Sequence, residues 1–167
     1  ADALKKERTK LLFWALAEIP EDLAEILVLR DLDGLAYGEI GVGAWLNDQP
    51  IRVSEIDAIE AAALSTGNLK TLATGPQWPA FGQLVGRLNR IRGYGDFLHY
   101  HLLAAGKIEA VIESDIQILD IAALTVVVEE AGGRVTDLEG APIGLGTRSI
   151  LATNGLLHDA ILDGLKR

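Results

Sequence analysis

The chain has 167 residues, 49% hydrophobic and 23% charged, enough to bury one sizeable core within the usual length of a single domain. A net charge of −9 repels a phosphate backbone, and no basic block offsets it, so nucleic-acid binding is discounted. Cysteine is absent, which excludes disulfides, thiolate metal ligands and a cysteine nucleophile, and removes any need for an oxidising compartment. No apolar run approaches the roughly 20 residues that span a bilayer, and the charged amphipathic start is not a secretory signal. The sequence therefore reads as a soluble, cytoplasmic protein with no membrane partner. Methionine is also missing, initiator included, which points to a processed, truncated or altered chain.

Over residues 2–19, Leu4, Leu11, Leu12, Ala15, Leu16 and Ile19 recur near a helical period with lysines and Arg8 elsewhere, predicting an amphipathic helix ended by Pro20. The dense apolar run over 22–29 fits a short helix or a strand, and 26–29 is read as strand. Asp31-Leu32-Asp33-Gly34 signals a turn, the glycines at 38, 41 and 43 a second, and Asn47-Asp48-Gln49-Pro50 a third before Ile51-Arg52-Val53. That region reads as β-hairpins. After Ser54, helical and extended units alternate, the pattern of a layered α/β architecture. Strands are predicted at 61–65, 90–93, 108–113, 134–137 and 149–153, and helices at 79–88, 96–105, 120–131 and 156–165. There is no internal repeat or low-complexity segment.

Four stretches resemble, in the right order, the inositol monophosphatase superfamily. Gly41-Val42-Gly43-Ala44-Trp45-Leu46-Asn47-Asp48-Gln49-Pro50-Ile51-Arg52-Val53-Ser54 is similar to the family hairpin G-x-G-A-x-x-N-G-x-x-I-x-V-S, with Asp48 in place of the usual glycine. Arg92-Gly93-Tyr94-Gly95-Asp96-Phe97, followed later by Gly106-Lys107-Ile108-Glu109-Ala110, resembles the segment that approaches substrate, most closely in the histidinol-phosphatase branch. Leu119-Asp120-Ile121-Ala122-Ala123-Leu124 leading to Glu130-Ala131-Gly132-Gly133 looks like the second signature, W-D-x-A-A then E-A-G-G, with Leu119 where tryptophan is usual. Ala152-Thr153-Asn154-Gly155-Leu156-Leu157-His158 is similar to the closing strand-to-helix turn. Four ordered matches carry far more weight than any one alone.

The resemblance implies a layered α/β sandwich with a mixed sheet, like the C-terminal half of that fold. Residues 36–167 would form this domain, and residues 1–35 a helix and connecting segment, natural or engineered, that replaces the family's N-terminal portion. It also implies a magnesium-dependent phosphate monoesterase acting on a small phosphorylated metabolite, in which Mg²⁺ polarises the phosphoryl group and activates water. Carried over residue by residue, Asp120 would be a metal ligand, Glu113 the acid that meets substrate hydroxyls or an amine, and Gly95 and Asp96 a substrate-facing helix start. Each has a plainer explanation: Asp120 as a helix cap, Glu113 as an exposed strand end, Gly95 and Asp96 as a tight turn with its cap. His99 and His101, two apart on a helix, point to different sides and are expected at or near the surface; His158 has no partner in sequence and no role.

The family's first signature, D-P-[LI]-D-G-T, with two further metal-binding aspartates, is not found. Asp31-Leu32-Asp33-Gly34 echoes it with the wrong spacing, no proline, and Leu35 where a threonine is expected. One carboxylate is too few for two or three Mg²⁺ ions, so metal binding by this chain is expected to be weak or absent. Three functions follow: the substrate-side half of a phosphatase that is not catalytic alone, an active phosphatase whose site a homo-oligomer completes, or a small-ligand module without chemistry. An uncovered apolar face at the N-terminal side would also favour either the added helix or self-association.

Overall fold

The computed structural model describes residues 30–31 and 34–166. The helix expected over 2–19 and the strand expected over 26–29 lie outside the described residues, as does Asp33. Strands β1 (Arg30–Asp31), β2 (Gly34–Glu39), β3 (Gly43–Leu46) and β4 (Gln49–Pro50) form an antiparallel sheet in that order. The hairpins fall where the turn residues placed them. Asn47 and Asp48, with φ of 50° and 62°, close the two-residue β3–β4 turn, the doubly left-handed geometry that Asn and Asp tolerate best after glycine. The β2–β3 turn is held by the Gly41 amide donating to the Glu130 carboxylate at 2.9 Å.

A 3₁₀ turn over Ile59–Ala61 leads into the main sheet, whose order is β6-β5-β7-β9-β8. Its strands are β5 (Ala63–Gly67), β6 (Arg90–Arg92), β7 (Ala110–Ser114), β8 (Arg134–Thr136) and β9 (Ser149–Thr153). β5 runs parallel to β6 and β7, β9 antiparallel to β7 and β8, so the sheet is mixed as expected. The helices are α1 (Leu69–Thr74), α2 (Trp78–Val85), α3 (Leu98–Ala104), α4 (Ile118–Glu130) and α5 (His158–Leu165). α1 is the element that hydrophobic periodicity missed: six residues give less than two turns of pattern.

Strand alternation decides which helices cover which face. Ala110 and Ile112 of β7 join Leu72, Phe81, Leu84, Ile161 and Leu165, so α1, α2 and α5 pack on one side. Val111 between them joins Tyr100, Leu103, Ile121, Leu124 and Val128, so α3 and α4 pack on the other. Helix α4 is apolar around most of its circumference because it is sandwiched, with the main sheet on one side and the hairpin sheet on the other. Gly38 permits that approach: a Cβ there would sit 3.1 Å from the Val127 Cα. On the far side of the hairpin sheet Tyr37 and Trp45 stack across the strands, 5.2 Å between centroids, with Tyr37 exposed.

Candidate functional site

Parallel strands β6, β5 and β7 end side by side, and the chain leaves them in opposite directions. After β5 it turns to the α1–α2 face; after β6 and β7 it turns to the α3–α4 face. Such a parting of connections opens a crevice beyond the carboxyl ends of the strands, the usual ligand position in sheets of this kind. The loops that follow all three strands carry non-glycine residues in the left-handed region, Asn68 at φ 48°, Asp96 at 47° and Asp115 at 58°, with Gly95 at 69° next to Asp96. Backbone strain of this sort persists only where surrounding contacts over-determine it. Here Asn68 Nδ2 donates to the Ser114 carbonyl at 2.8 Å and Ser114 Oγ donates to the Asn68 carbonyl at 3.1 Å, clamping β5 to β7.

Glu113 stands at the end of β7 and is buried, 8% exposed, rather than a solvated strand end. The Tyr100 hydroxyl donates to its Oε2 at 2.8 Å. His99 Nε2 lies 3.3 Å from the same oxygen, at ion-pair distance but off the line of a hydrogen bond. The other ring nitrogen, Nδ1, lies 3.2 Å from Ser65 Oγ, which accepts the Tyr94 amide at 3.2 Å. A buried chain of contacts thus runs from the loop after β6 through β5 and α3 to the carboxylate. Gly67 makes room for it, since any side chain there would collide with the Glu113 carboxylate. Burial raises the Tyr100 phenol well above its ordinary pKa, and the Glu113 and then the Asp120 carboxylates raise it further, so the hydroxyl stays a donor.

Asp120 is exposed and lies at the third position of α4, because the helix starts two residues earlier than the sequence pattern indicated. Its Oδ2 accepts the Gln117 amide at 3.1 Å, half of a capping box, which leaves Oδ1 without a protein partner among the described residues. Gly95 and Asp96 do not open α3. They form the loop before it, Asp96 exposed, while the helix starts at Leu98 with Phe97 as its cap. The helix N–H groups are therefore not presented by Gly95 and Asp96.

The histidines are the clearest departure from the sequence reading. His99 is 0% and His101 4% exposed, because α3 packs against both the main sheet and α4. His158, also fully buried, has Nδ1 3.0 Å from Thr153 Oγ1 and Nε2 3.0 Å from Thr136 Oγ1. Burial first, then the nearby Arg134 cation, lowers its pKa to about 4. A cavity of about 240 Å³ lies elsewhere, under the β2–β3 turn, lined by Trp45, Pro50, Arg52 and Glu130 among others, and includes none of the crevice residues.

Among the described residues no three His, Asp or Glu side chains converge in a way that could hold a metal ion. By themselves the described residues do not make up a magnesium site. No helix among them is long and apolar enough to cross a membrane. The sequence reading missed Ser65, Gly67, Asn68, His99 and Tyr100. The run Ser65-Thr66-Gly67-Asn68, polar residues and a glycine closing an apolar strand, was the available signal.

A profile of the inositol monophosphatase family matches residues 32–166. Histidinol-phosphatase of Mycobacterium tuberculosis is 41% identical over 115 residues, 69% of this chain and 44% of the relative. Fructose-1,6-bisphosphatase/inositol-1-monophosphatase of Thermotoga maritima is 34% identical over 132 residues, 78% of this chain and 50% of the relative. Among solved structures, extragenic suppressor protein suhB from Bartonella henselae superposes with a TM-score of 0.75 at 32% identity, covering 81% of this chain and 53% of that one. Inositol monophosphatase from Anabaena superposes at 0.72 with 30% identity, covering 80% and 54%. The chain spans about half the length of the relatives it matches. Since the profile runs through the hairpin sheet, the crevice and the final helix, the chain belongs to the inositol monophosphatase family.

Proposed function

We propose that this chain forms the substrate-side half of a magnesium-dependent phosphate monoesterase site and is not catalytic alone. Glu113 receives a hydroxyl or amine of the alcohol portion of a small phosphate monoester, such as histidinol phosphate or an inositol phosphate. Asp120 stands on the metal side, and the Gly95–Asp96 loop borders the substrate. One observation carries this reading: among the described residues Glu113 Oε1 has no hydrogen-bond partner while its Oε2 is held by Tyr100, and the Asp120 charge reaches that same hydroxyl. A buried carboxylate with an uncommitted oxygen calls for a donor from outside. The histidinol-phosphatase and inositol-1-monophosphatase relatives support the substrate class.

The test is phosphate release from histidinol phosphate and from an inositol monophosphate in excess Mg²⁺, with calorimetric binding in parallel. Binding without turnover, lost in Glu113→Gln, supports the reading. Turnover abolished by Asp120→Asn and linear in protein concentration overturns the non-catalytic half of it. Turnover rising faster than linearly supports a site completed between copies of the chain. Binding that is indifferent to Glu113→Gln removes the substrate-side assignment.

A further inference from the structure

We infer that His99 and Tyr100 are positioning residues that commit Glu113 Oε2 to the protein and turn Oε1 alone toward the ligand, so the site selects ligands that carry a donor there. The inference rests on the reading of Glu113 as a ligand contact and adds how its orientation is set.

The proton positions follow from a count of donors and acceptors. Tyr100 has one hydroxyl hydrogen, and it goes to Glu113 Oε2 at 2.8 Å. Ser65 Oγ already accepts the Tyr94 N–H at 3.2 Å. Oγ has a second lone pair, but its own hydrogen meets no other acceptor among the described residues than His99 Nδ1 at 3.2 Å, so it points there. That assigns the His99 proton to Nε2, the nitrogen 3.3 Å from Glu113 Oε2. The two rings pack edge to face, 4.4 Å between centroids, and both reach Oε2: Tyr100 by a hydrogen bond, His99 Nε2 by a charge contact at 3.3 Å that is off the line of one. Oε1 lies against Gly67, in the space a side chain there would fill. The carboxylate is thus clamped on one oxygen and acceptor-only on the other.

A carboxylate held this way favours a ligand hydroxyl or ammonium at Oε1 and penalises an analogue that leaves the oxygen dry and unpaired. Losing the clamp frees the carboxylate to rotate and blurs that choice, even where the fold survives.

The experiment compares binding of histidinol phosphate with its des-amino analogue in Mg²⁺, the ratio of affinities being the readout, because a general loosening of the fold lowers both affinities together. The unaltered protein should prefer the amine by about tenfold or more, the worth of a hydrogen bond to a charged group. Tyr100→Phe and His99→Asn should lose most of that preference, whereas His99→Gln, whose amide reaches where Nε2 lies, should keep it. If both losses fail to appear while Glu113→Gln abolishes the preference, the positioning role is wrong and the ligand contact stands. If Glu113→Gln changes nothing, or neither probe binds, the ligand contact itself is wrong. Long-range ¹H–¹⁵N spectra of the ligand-free protein decide the clamp separately: a proton on His99 Nε2 supports it, and a ring protonated on Nδ1 alone overturns it.

Discussion

Lowering the pH should destabilise this protein through His158 before its carboxylates protonate. Thr136 Oγ1 spends its hydrogen on the Asp137 carbonyl at 2.8 Å, so toward His158 Nε2 it accepts. Thr153 Oγ1 accepts the Gly155 amide at 3.1 Å and donates to Nδ1. The ring is therefore satisfied as the neutral Nε2–H form, and a second proton on Nδ1 would face a donor in a fully buried place. With a folded pKa of about 4 against an ordinary 6.5, the unfolded chain binds more protons than the folded one throughout that window. Stability is then fully present above the unfolded value and falls as the pH drops toward the folded one. Between pH 7 and pH 5 the loss is about 2 kcal/mol, a substantial part of the roughly 5–15 kcal/mol of a typical domain. Urea unfolding at both pH values, in the unaltered protein and in His158→Gln, measures it; the comparison cancels whatever the other histidines contribute. The variant should be less stable at neutral pH and lose little more on acidification. A His158→Gln protein as acid-sensitive as the original would refute the argument.

Gly67→Ala places a methyl group against the Glu113 carboxylate and should weaken probe binding while costing about 1–3 kcal/mol of stability, read from binding isotherms and denaturant melts together. Unchanged binding would show that Glu113 has room to move. Asp48→Gly should raise the melting temperature slightly, by less than about 1 kcal/mol of stability, because Asp48 sits at φ 62° in a two-residue hairpin turn where glycine is unstrained. A destabilised variant would mean that the Asp48 side chain holds the turn by a contact stronger than the strain it relieves.

Much of the fold was legible because it is written in short-range pattern. The 110–112 alternation, the dense apolar run of α4 and the Asn47-Asp48 turn each report a local backbone preference, and each appears close to its predicted place. Helix starts were less legible. α3 begins two residues after the expected 96 and α4 two before the expected 120, since the cap of α4 depends on a reciprocal contact between Gln117 and Asp120 that periodicity does not register.

The sequence alone established the family and the order of its motifs, because four short patterns must recur in register for the same chain path to form. It also pointed to Asp120 and Glu113 as the acids of interest. Only the tertiary structure decided what those acids are. Glu113 looked like an exposed strand end until Tyr100 and His99 from α3, and the bare backbone of Gly67 on β5, enclosed it. Ser65 is 34 residues from the histidine it meets, and Thr136 is 22 from His158. Burial and proton placement arise from neighbours that distant segments bring together, and no local period carries that information.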